Sequence, residues 1–149
     1  MDASDYKEKL RQARERKGWS IHEAATQVAD NSITSRANYY DIEQCEGDLT
    51  GCCSLNEVSR ISKLLNVRPS DLFCDEKPVA ISISDVVKNI QKHCAEKKIP
   101  INEFEDIVGW RVEGSLTNPA KALNEWNIDC LMNVCRELNI DWRSVIAGL

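Results

Sequence analysis

Only two histidines occur in the chain, His22 and His93, and they stand far apart without paired spacing. Seven cysteines are present, yet no Cys-x-x-Cys, so a tetrahedral zinc site has no ligand pattern to start from. Also missing are a phosphate-cradling glycine loop, a Gly-x-Ser-x-Gly elbow and a His-Glu-x-x-His pair. His93 and Cys94 are neighbours, but adjacent residues on a helix point about 100° apart, so they do not form a prepared nucleophile and base. These absences point away from catalysis and give no reason to expect a cofactor. The longest apolar runs, such as Pro78 to Ile81, fall far short of the ~20 residues of a membrane span, and the start Met-Asp-Ala-Ser-Asp is acidic where a signal peptide would be basic. The expectation is a cytoplasmic protein, away from membranes, with free thiols.

What is present suits a soluble helical protein. Hydrophobic residues make up 42% and charged residues 29% of the 149, with a net charge of −5. Tyr6, Leu10 and Ala13, with Arg11, Arg14, Arg16 and Lys17 between and after them, predict an amphipathic helix ending at Gly18. Ser20 with Glu23 forms a capping box that opens a second helix, Ile21 to about Ala29. After the polar turn 30–35, Arg36 to Gln44 reads as a third helix with Tyr39 and Ile42 inward. The stretch 45–54 reads as a loop. Ser54 caps a fourth helix through Leu55, Val58, Ile61, Leu64 and Leu65, and Pro69 starts a short last one ending at Phe73.

The same order recurs. At an offset of 80, Leu10 meets Ile90 and Val28 meets Val108; at an offset of 73, Leu65-Asn66-Val67 meets Leu138-Asn139-Ile140. The second copy is thus shortened in its middle. The expectation is an all-α chain of two units: residues 1–76, and a degenerate repeat, 77–149, joined near Pro78. A single bundle with one continuous core is the alternative.

Leu10-Arg-x-x-Arg-x-x-Lys-Gly-x-Ser20, then Ala24-Ala25, Ser35-Arg36, Tyr39, Ile42-Glu43 and the run Leu55 to Phe73 resemble the lambda repressor/Cro, or XRE, family of helix-turn-helix DNA-binding domains over residues 6–73. The resemblance implies a reading helix in the major groove of double-stranded DNA and a second helix whose start meets phosphate. It implies DNA contacts from Thr34, Ser35, Arg36, Asn38, Tyr39 and Tyr40 at or near the reading helix, Ser20 at the start of the second, and Arg14 and Lys17 at the end of the first. It also implies a small residue, Ala25, where the two helices cross. Ile21 stands where the family usually has Gln, and the turn after the second helix is about four residues longer than the family's.

Charge sets a second function class beside the first. Residues 1–76 carry ten basic against fourteen acidic side chains, and residues 77–149 nine against ten. In the second copy Glu105 aligns with Ala25, and a carboxylate between packed helices costs several kcal/mol unless paired. Trp110, Leu116 and Trp126 read either as core or as a surface for a homodimer or protein partner. The two functions are a sequence-specific DNA-binding transcriptional regulator, and a non-catalytic protein-interaction module of antitoxin-like, immunity-like or regulator-binding kind.

Overall fold

The computed structural model describes residues 6–149, and within them the chain is all-helical. Six helices occupy the first half: α1 (Tyr6–Arg16), α2 (Ile21–Asp30), α3 (Tyr39–Gln44), α4 (Asp48–Cys52), α5 (Leu55–Leu64) and α6 (Pro69–Phe73). Six more follow: α7 (Ile83–Lys97), α8 (Ile101–Val108), α9 (Glu113–Thr117), α10 (Ala120–Glu125), α11 (Ile128–Leu138) and α12 (Trp142–Ala147). Local chemistry fixes most boundaries. Ser20 and Ser54 each accept from the backbone N–H three residues on, while Glu23 and Glu57 return the bond to the cap's own N–H, so two orphan donors are satisfied at each helix start.

Two helices differ from expectation. The third begins at Tyr39 rather than Arg36, because the Asn38 side chain accepts from Asp41 N at 2.9 Å and thereby serves as N-cap. Residues 48–52, read as loop, form α4. Gly47 at φ 88° turns the chain into it, its N–H donating to Tyr6 Oη at 3.0 Å, and Leu49 and Cys53 become buried.

The order of helices in the first half recurs in the second, and two left-handed positions recur with it. Gly18 (φ 74°) and Lys98 (φ 54°), 80 apart, are both left-handed, as are Asn66 (φ 59°) and Asn139 (φ 56°), 73 apart. Leu55, Val58 and Ile61 on α5 correspond to Ile128, Leu131 and Val134 on α11, all fully buried.

The halves meet through a reciprocal contact. Helix α6 packs on α12; α5 packs on α10, and α11, the counterpart of α5, packs on α4, the counterpart of α10. Such reciprocity is the pattern of an isologous interface, realised here within one chain. Asn56 Nδ2 donates to Asn124 Oδ1 at 3.1 Å, and at the mirrored place Asp129 lies against Gly51. Asn127 Nδ2 donates to Gly51 O, Leu55 N to Trp126 O, and Arg143 Nε to Phe73 O. One core cluster runs through both halves. Cys130 and Cys135, which lie on different faces of α11, are both buried because α4, α7, α8 and α12 surround that helix.

Candidate interaction face on α2 and α3

Helices α2 and α3 pack on each other, with Ala24 fully buried and Ala25 half-buried against the core. The eight residues between them, 31–38, are braced from α5. Arg60 donates to the carbonyls of Asn31, Ser32 and Ile33 at 3.3–3.5 Å, Glu57 Oε2 accepts from Ser35 N at 2.8 Å, and Ile33 is buried. Thr34 Oγ1 donates to Ala37 O at 2.5 Å. The long turn is therefore a held structure, carried on α5.

Placing the expected DNA-contacting residues on this frame divides them. Tyr39 is buried, its phenol pushed well up by desolvation and by the charge of Glu43, whose carboxylate it adjoins without well-formed hydrogen-bond geometry; it is a core residue and cannot read a groove. Arg14 is also committed inward. Its Nε and Nη2 donate to the Glu43 carboxylate at 2.8 and 2.7 Å, Nη1 donates to Trp19 O at 2.9 Å, and only 12% of the side chain is exposed. Those bonds to Glu43 raise the guanidinium's pKa further. Asn38 is spent on capping, Oδ1 to Asp41 N and Nδ2 to Asp41 Oδ2. Ser20 caps α2. Lys17 lies over the Trp19 ring at 4.8 Å, and Arg11 sits between Glu8 and Glu15 on its own helix. Arg36 and Tyr40 remain exposed, Arg36 on the loop before α3, and His22 Nδ1 lies 2.8 Å from Tyr40 Oη.

The charge of this face is one-sided. From residue 37 to residue 59 there is no lysine or arginine, but Asp41, Glu43, Glu46, Asp48 and Glu57 all fall there. Glu43 and Glu57 are used in the interior or in capping, whereas Asp41 lies on α3 beside its cap Asn38, Glu46 between the two helices, and Asp48 at the start of α4. This acidic run is legible in the chain, though its position on α3 and α4 is not.

The second half arranges the corresponding elements differently. Helix α8 packs on α11, and its contact with α9 is sparser than that of α2 with α3. Glu105, aligned with Ala25, is half-buried but satisfied: its Oε2 accepts from Val112 N at 2.6 Å and Glu113 N at 3.1 Å, holding the start of α9. Its burial is thus compensated. Of the apolar residues considered for a partner surface, Trp126 is fully buried and belongs to the core, while Trp110 and Leu116 are half-buried and pack against it.

Among the described residues no three His, Cys, Asp or Glu side chains converge as a metal site, and no helix is long and apolar enough to cross a membrane. No family model, curated protein or solved structure matches this chain.

Proposed function

We propose that the chain is a non-catalytic protein-interaction module on a helix-turn-helix-like plan, whose α2–α3 edge takes a basic surface of a protein partner. The observation that carries this reading is that residues 37–59, which contain all of α3 and α4, hold no lysine or arginine, while Asp41, Glu46 and Asp48 carry negative charge there outside the buried Arg14–Glu43 pair and the capping bonds of Glu57. A duplex presents one negative charge per ~1.7 Å, so a reading helix of this charge meets repulsion where a DNA-binding protein gains its main affinity. The same carboxylates steer a cationic partner toward the face. The exposed Tyr40 supplies an amphipathic anchor there, 41% exposed beside His22.

A DNA-binding regulator is the second reading, favoured by the mutual packing of α2 and α3 and by the exposed Arg36. One pair of experiments separates the two. A photo-crosslinking phenylalanine at position 40 is expected to give a discrete adduct with a protein bearing a basic surface, and the same group at exposed position 92 none. Selection from random duplex DNA at about 50 mM salt, where phosphate contacts are strongest, is expected to enrich nothing. Enriched sites whose binding is weakened by Arg36→Ala would establish the DNA reading instead, and absence of a position-specific adduct would defeat the first.

A further inference from the structure

The seam between the halves opens into a cleft of about 340 Å3, at the small end of the range of ligand pockets. Its walls come from both halves: the Ser35-Arg36 loop and Ser54 from the first, Trp110, Asn124 and Trp126 from the second. We infer that this cleft binds a small organic anion, a carboxylate or phosphate monoester with an aromatic or other flat apolar part.

The argument rests on which polar groups are still open. Glu57 is occupied, its Oε1 accepting from Ser54 N and its Oε2 from Ser35 N, so its charge is already compensated by donors. Asn127 is used at both ends, by Gly51 O and Cys130 N. Asn124 Oδ1 accepts from Asn56, which leaves the Asn124 amide N–H groups for other acceptors. Arg36 is exposed at the rim with no hydrogen bond or ion pair described for it. Trp126 is 0% exposed, yet its Nε1–H has no partner. That N–H has essentially no accessible surface, so Trp126 serves as packed wall, and the donors open to a ligand are Arg36 and the Asn124 amide. Arg36 and the Asn124 amide therefore both ask for an acceptor, and Arg36 asks for a negative one. Glu125, at the same cleft, is the one carboxylate there without a partner among the described residues, and its charge favours a carboxylate, singly charged at neutral pH, over a phosphate monoester, which carries about −1.5 to −2. The half-buried Trp110 ring gives a flat ligand a wall to stack on.

This site does not depend on how the α2–α3 edge is used, although Arg36 borders both. Two of the four tryptophans line it, so binding has an intrinsic signal. The test titrates the full chain, to about 10 mM, with acetate, benzoate, inorganic phosphate and phenyl phosphate while following tryptophan emission and Tm. Benzoate or phenyl phosphate is expected to produce a saturable change and a raised Tm. Arg36→Ala is expected to weaken that binding at least tenfold with unchanged circular dichroism, and Trp110→Leu to remove most of the emission change. Stronger response to phenyl phosphate than to benzoate would assign the phosphate source, and the reverse the carboxylate. No saturable change with any probe, or one that Arg36→Ala leaves intact, would overturn the inference.

Discussion

Arg14 on α1 holds Glu43 on α3 through two side-by-side charge-assisted bonds, and the Glu43 side chain is 1% exposed. The third guanidinium nitrogen reaches Trp19 O, so one arginine fastens the end of α1, the turn into α2 and the body of α3. A residue that the chain presents as one of a basic cluster is thus internal mortar.

Breaking this pair from one side should be costly. Glu43→Ala strands a mostly buried guanidinium, and a loss of about 3–5 kcal/mol in urea unfolding is expected. Arg14→Met with Glu43→Leu should recover much of that loss, because neither charge is then left alone. A single-variant cost below about 1 kcal/mol would mean that water replaces the pair.

Lys98 and Gly18 occupy corresponding left-handed positions at the ends of α7 and α1. Lys98→Gly is expected to raise stability by about 0.5–1 kcal/mol, since the side-chain strain at φ 54° outweighs the added freedom of the unfolded chain. Gly18→Ala is expected to lower it by about 1 kcal/mol, and nothing lies within 4 Å of the added methyl, so the effect reads backbone strain alone. Changes of the same sign at both positions would refute the account.

The buried thiols predict alkaline sensitivity. Burial pushes Cys53 and Cys135 from an ordinary 9.0 up to about 12, and Cys130 up as well. A folded pKa above the unfolded one means that the folded state holds the proton longer. Stability is therefore fully present below pH 9 and falls as pH rises toward 12, by about 1.4 kcal/mol per pH unit for each thiol. Urea titrations at pH 8, 9 and 10 check the sign, and Cys135→Ala should flatten the slope. At pH 8 a thiol reagent should label Cys52 readily, but Cys53, Cys130 and Cys135 only after unfolding.

Phe73 and Trp142 meet edge to face across the seam, 5.8 Å between centroids, with Arg143 over the Trp142 ring and bonded to Phe73 O. Trp142→Ala is expected to cost about 3–5 kcal/mol and to lower the unfolding midpoint of both halves together, monitored by Trp19 in one and Trp126 in the other. Separate midpoints already in the unaltered chain would show that the seam contributes little.

The sequence by itself determined the helical class, because its apolar spacing has a period of 3.6 and because short-range rules set helix starts: Ser20 with Glu23 and Ser54 with Glu57 need only residues three apart. The recurring order of helices was legible for the same reason, as was the surplus of carboxylates beside the third helix. Tertiary structure alone decided the roles of the basic cluster and the aromatic residues. Whether Arg14 faces solvent or Glu43, whether Trp126 is surface or core, and whether Glu105 is an uncompensated charge or the clasp at the start of α9 all depend on partners far along the chain or across a turn. Periodicity assigns a residue to a face of its helix; which neighbour covers that face, here most of all the second half of the chain lying on the first, is settled only when the helices pack.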